Sequence, residues 1–168
     1  TALDGVEGFV LSPDGSRALV SWSSSYTPPQ LAVVAVAGGE ARKLTDTRTA
    51  EFRAREWIQP QYVQVPSTHG AGVIWAKLYR PASFESGRKY PVVMFVHGAG
   101  YLQNVSARYP NYFREQMFNN LLVQQGYVVL DMDYRGSAGY GRGWRTAISP
   151  CKCVRGRATT RSVTRSPR

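Results

Sequence analysis

The chain has 168 residues, 43% hydrophobic and 12% aromatic, which excludes a disordered polypeptide and allows one domain or two small ones. Its net charge of +10 is mostly a terminal excess: residues 149–168 hold six basic side chains and no acid, leaving 15 basic against 11 acidic residues elsewhere. That distribution argues against a nucleic-acid-binding face on the body, and no stretch reaches the roughly 18 apolar residues of a membrane-spanning helix.

Thr1 leads into Asp4 and Glu7 without a basic segment followed by an apolar one, so no secretory signal is expected there. A chain opening on Thr reads as a fragment or a processed product. Residues 8–12 and 17–23 are expected to be strands around Ser12-Pro13-Asp14-Gly15-Ser16, where Pro presets φ and Gly accepts positive φ. Residues 30–36 and 40–44 flank Ala37-Gly38-Gly39 as a second hairpin. Two such hairpins form a four-stranded antiparallel unit that cannot bury both faces alone. It reads as one blade of a β-propeller or as a small free-standing sheet.

Residues 48–60 are charged, weakly patterned and expected to cross between two regions. A third hairpin follows at 61–65 and 73–79 around His69-Gly70-Ala71-Gly72, and 81–89 reads as an exposed loop. The pattern then changes. Residues 91–96 are continuously apolar and too short for a helix, which predicts a strand buried on both faces, as in a parallel sheet. From Asn111, an expected N-cap, a helical period aligns Phe113, Met117 and Leu121, with Phe118 and Leu122 alongside, until Gly126 stops it. Residues 127–132 predict a second buried strand, completing a βαβ unit and an α/β body.

The strand at 91–96 runs into His97-Gly98-Ala99-Gly100-Tyr101. Small residues at the C-terminal end of such a strand let backbone N–H groups approach a ligand, and in α/β-hydrolases this loop supplies part of the oxyanion hole. The same four letters recur at His69–Gly72 in a hairpin turn, so only context gives them weight. On spacing alone His97 is equally a structural loop residue or an active-site lining. The run from Asp131 to Arg142 ends a strand in a glycine-rich loop, but without Gly-Lys-Ser/Thr it is no phosphate loop. Arg135 there reads as scaffold, in a local ion pair with Asp131 or Asp133. Cys151 and Cys153 lack the second pair that a structural zinc needs, so no metal site is expected.

In order along the chain, Ser12-Pro13-Asp14-Gly15, Leu78-Tyr79-Arg80-Pro81, residues 90–100, residues 126–131 and Tyr134-Arg135-Gly136-Ser137-Ala138-Gly139-Tyr140-Gly141 resemble the prolyl oligopeptidase family of serine peptidases. Its dipeptidyl peptidase IV and acylaminoacyl peptidase branches are the most similar, over roughly residues 1–148. The resemblance implies the C-terminal blade of a β-propeller at 1–47, a crossing segment at 48–60 and the N-terminal part of an incomplete α/β-hydrolase domain at 61–148. Residues 149–168 are then an unstructured basic tail, read as out of frame. The implied activity is serine-type hydrolysis of peptide substrates, without cofactor, nucleic acid or membrane. His97, Gly98, Ala99 and Tyr101 are implied oxyanion-loop residues, and Arg135 and Gly136 shape the pocket.

Nucleophilic catalysis requires a serine on a tight strand-to-helix turn, a base beside it and an acid to orient the base. No serine here has glycine two before and two after; Ser137 lies in Gly-Ser-Ala-Gly. The two histidines, His69 and His97, come too early for the order Ser, Asp, His. The chain as written is therefore expected to be inactive. Two other classes compete. An esterase or lipase would share the hydrolase sheet but not the blade-like start. A binding module could use its basic tail on nucleic acid or anionic membrane, yet the body has no basic stripe and the tail no aromatic residue. An unpaired edge and bare apolar faces predict poor solubility.

Overall fold

In the first forty-odd residues, short β-favouring runs are separated by turns whose chemistry is local. Ser12 Oγ and Ser16 Oγ donate to the Asp14 carboxylate at 2.6 and 2.8 Å, and Gly15 takes a φ of +70°. This turn joins β1 (Val6–Leu11) to β2 (Arg17–Ser24); β3 (Thr27–Ala35) and β4 (Arg42–Lys43) complete an antiparallel sheet in chain order. The structure is a computed structural model that describes residues 3–67, 72–98 and 102–145. Ala18, Val20 and Trp22 of β2 pack with Ala32 and Ala41 on one face, while Leu19 and Leu31 stand exposed on the other. The second hairpin is shorter at its far end than the spacing suggests, since only Arg42–Lys43 pairs with β3.

Residues 48–60 contain a short helix that the pattern did not announce. Thr49 caps α1 (Ala50–Ala54) by accepting from the Phe52 N–H at 3.2 Å. Trp57 then packs against Phe52 and stacks on Tyr26 with ring centroids 5.2 Å apart. Tyr26 donates its hydroxyl to Ile58 O at 2.6 Å, and burial pushes this phenol up to about 12.

The second sheet holds β5 (Gln61–Pro66), β6 (Val73–Tyr79), β7 (Val92–Val96) and β8 (Val128–Met132) in the order β5-β6-β8-β7. Neighbours are antiparallel except β7 and β8, which run parallel on either side of α2 (Phe113–Gln124). A short α3 (Arg142–Arg145) follows. Two expectations need correction here. The apolar run at 91–96 is not buried on both faces: β7 is an edge strand, and Val92, Met94 and Val96 are 61%, 59% and 51% exposed. Among the described residues nothing pairs with its outer edge, so continuous hydrophobicity identified a parallel-sheet strand without guaranteeing its cover.

The helix is inverted relative to its pattern. Phe113, Phe118 and Leu121 are exposed, whereas α2 buries Gln116, Asn119, Asn120 and Val123. Hydrogen bonding explains this. Gln116 donates to Ser25 O at 2.6 Å and accepts from the Tyr79 hydroxyl at 3.2 Å. Asn120 donates to Tyr26 Oη at 2.8 Å and accepts from the Ile58 N–H at 2.8 Å. The helix thus bonds the turn after β2, the crossing segment and β6 at once. Its N-terminal neighbour is Tyr112, which makes no side-chain cap, so Asn111 does not serve as N-cap. Gly126 does end the helix, with φ +87° and its N–H on Val123 O at 2.9 Å.

Two outcomes follow. Asn120→Leu strands buried donors and acceptors and is expected to cost about 2 kcal/mol in urea unfolding, while Phe118→Ser stays within about 0.5 kcal/mol. A larger loss at Phe118 would return the helix to the orientation its apolar pattern suggests. The hydrogen bonds from Ser12 first, then Ser16, hold the Asp14 carboxyl down at about 2. Because this value lies below the ordinary one, the turn's contribution is present above the ordinary carboxylate range and is lost as pH falls through about 2. Ser12→Ala should move the Asp14 carboxyl carbon titration upward; an unmoved midpoint would refute the turn geometry.

Candidate active-site loops

Because β7 and β8 are parallel, both release their chains at the same edge of the sheet. His97 follows Val96, and Asp133 follows Met132. Loops at this edge are where α/β sheets gather ligands. The two loops are tied by one side chain. Asp133, fully buried, accepts at Oδ1 from His97 Nε2 at 2.9 Å, from the Asn104 N–H at 2.8 Å and from the Val105 N–H at 3.2 Å. Its Oδ2 accepts from the Tyr140 hydroxyl at 2.7 Å. Four donors occupy this carboxylate, which cross-links the end of β7, the loop after it and the loop after β8.

Asp131 and Lys77 lie beneath this anchor. The Asp131 Oδ1 accepts from Asn104 Nδ2 at 2.7 Å, and burial raises the Asp131 carboxyl against the lowering effect of Lys77. Lys77 is fully buried with no hydrogen bond to its Nζ among the described residues, and burial lowers its ammonium while Asp131 and Asp133 pull it up. Sequence reasoning missed Lys77 and Asn104. A lysine on the same strand face as Trp75 and Tyr79 was a readable anomaly; Asn104 carried no signal.

The sequence-derived candidates are placed as follows. His97 is buried against Asp133, with Nδ1 3.1 Å from Gly98 O and its ring 4.9 Å from that of Tyr134. Gly98 is exposed, with open space where a side chain would stand. Ala99 and Tyr101 lie outside the described residues, as do His69, Cys151, Cys153 and the tail from 149. Gly136 is buried at a φ of +118°, a conformation that favours glycine. Arg135 is exposed and pairs with neither aspartate: Asp133 is filled by its four donors, and Asp131 bonds Asn104. The expected ion pair is therefore corrected; the chain turns at Gly136 and leaves the guanidinium outside.

One juxtaposition was not foreseen. Ser137 Oγ lies 3.3 Å from His97 Nε2, so a serine, a histidine and an aspartate meet. They are not a catalytic triad. A triad uses one imidazole nitrogen for the serine and the other for the acid, whereas here Nε2 faces both Ser137 and Asp133. Ser137 is also fully buried, and its Oγ accepts the Tyr134 N–H at 3.1 Å, closing the turn. Its role is to pin the loop. Beside these loops a cleft of about 420 Å³ is lined by Tyr62, Trp75, Gln103, Val105, Gly139 and Tyr140, among others. Gly139 takes a φ of +90° there, a conformation that favours glycine, and the movable end of the Gln103 side chain lies where a Cβ would stand.

This arrangement has relatives. The family model described as BD-FAE matches residues 77–154, the span that carries both loops. The uncharacterized peptidase YuxL of Bacillus subtilis is 27% identical over 143 residues, covering 85% of this chain and 20% of that protein. Dipeptidyl peptidase 8 of Homo sapiens is 35% identical over 88 residues, covering 51% of this chain and 9% of its own length. In solved structures, the dipeptidyl peptidase 4 of Porphyromonas gingivalis superposes with a TM-score of 0.66 at 24% identity, over 86% of this chain and 20% of that one. The chain is similar to these peptidases over half or more of its own length. It spans a fifth or less of the length of these relatives.

Replacing Asp133 by alanine should cost about 3 kcal/mol in chemical denaturation, because buried donors from three segments lose their acceptor, whereas Arg135→Ala changes stability by less than about 0.5 kcal/mol. Equal effects of the two would mean that Asp133 does not anchor the loops.

Proposed function

We propose that this chain supplies the last blade of a β-propeller and the first strands of the α/β-hydrolase domain of a serine peptidase. The whole enzyme would release short N-terminal units from peptides through an acyl-serine intermediate, without metal or organic cofactor. The observation that carries this reading is the pair of segments at 97–98 and 102–105, anchored by Asp133 at the C-terminal edge of the parallel pair β7 and β8. An acyl-transfer site needs N–H or hydroxyl donors directed at the oxygen that becomes negative, and a strand-end loop held by buried hydrogen bonds pre-organises them.

His97 acts here as a positioning residue, since its Nε2 is committed to Asp133 and shielded from solvent. Gly98, exposed and without a side chain, leaves the backbone accessible to a substrate oxygen. Arg135, exposed at the mouth of the second loop, is available to a substrate carbonyl or carboxylate. The nucleophile, its base and its acid do not come from these residues: the sequence has no Gly-x-Ser-x-Gly, and Ser137 is spent on the turn. On this reading the chain alone does not turn over peptides.

The test is labelling with a fluorophosphonate, which reacts with activated serines. No adduct is expected on the chain. A covalent adduct at Ser137, abolished by His97→Ala, would overturn the reading and make Ser137 a nucleophile.

A further inference from the structure

The antiparallel register of β6 and β8 sets Lys77 directly opposite Asp131, and Tyr62 of β5 opposite Lys77 on its other side. Asp133 leaves the end of β8 with its N–H on Trp75 O, two residues from Lys77 along β6. The lysine is fully buried, and so are both aspartates to within 3%. An ammonium without a hydrogen-bond partner is an expensive thing to bury, and so are two neighbouring carboxylates. Each charge makes the other tolerable. The remaining groups around them are His97 at the end of β7, Asn104 of the loop, whose Oδ1 has no partner among the described residues, Tyr62, Tyr79 at the end of β6, and Tyr140, whose hydroxyl donates to Asp133. The face of α2 buried in the fold adds Gln116, Asn119 and Asn120, none of them titratable in this range.

We propose that Lys77 is a positioning residue: the buried counter-charge to Asp131 and Asp133 that keeps the loop at 102–105 on its anchor. This rests on the reading above for what the loop is used for, and on geometry for how it is held. Asp133 takes the N–H groups of Asn104 and Val105, and Asp131 takes the Asn104 side chain. Both aspartates therefore hold the same short stretch of chain, and both depend on a positive charge that comes from neither loop. Without it, two carboxylates share a dry site with a single histidine. One of them must then take up a proton or admit water, and the loop's donors lose their acceptor.

The experiment is hydrogen exchange by mass spectrometry on the full chain, read at the peptide carrying Asn104 and Val105. Lys77→Met keeps the side-chain length and removes the charge. It is expected to speed exchange there by roughly tenfold or more, with the excess shrinking as pH is lowered toward the carboxylate range. Asp131→Asn added to Lys77→Met removes the surplus negative charge while its Oδ1 still accepts from Asn104, so protection should return. Unchanged exchange in Lys77→Met, or a double variant no better than the single one, would overturn the proposal. Should Lys77→Met fail to fold, recovery of folding in the double variant supports charge compensation, and failure of both means that the lysine serves packing alone. None of these readings depends on labelling of a serine, so loss of the peptidase reading and loss of this one are separable.

Discussion

Asp133 places a charge at a fully buried point, and a buried carboxylate must be met by donors or expel itself toward water. Here the donors come from His97, from the backbone at 104 and 105 and from Tyr140, so three segments converge because one side chain cannot be left unsatisfied. The geometry of both loops follows from that convergence. Ser137 turns inward, Gly136 takes positive φ, and Arg135 is left outside.

A second polar device joins the two sheets. The turn after β2, the crossing segment and β6 each present a buried group to α2, and the helix answers with Gln116 and Asn120 instead of leucines. A seam of satisfied amides is directional: it fixes how the antiparallel sheet sits against the mixed one, where an apolar seam would allow sliding. The consequence is that phenylalanine and leucine of the same helix face outward. Together with the bare face of β7, they give the chain exposed apolar surface on its second sheet.

The contact between Ser137 and His97 illustrates how little a set of residue types says by itself. Serine, histidine and aspartate meet within hydrogen-bond reach, yet one imidazole nitrogen serves both partners and the hydroxyl has no route to solvent. Catalytic meaning depends on which nitrogen faces which group. The same letters, arranged differently, make a lock.

What the sequence determined by itself is what local chemistry controls. Pro13-Asp14-Gly15, Gly38-Gly39 and Gly126 mark turns and a helix end because backbone preference acts over a few residues, and the apolar runs at 91–96 and 127–130 mark the parallel pair. The succession of motifs around His97 and Arg135 also carried the resemblance to serine peptidases. Only the tertiary structure decided which face of α2 is buried, that β7 is an edge, that Arg135 is exposed, and that Lys77 stands opposite Asp131. Those outcomes depend on strand register and on hydrogen-bond partners distant in the chain. No pattern along a single segment encodes them, because burial is a property of what a segment meets.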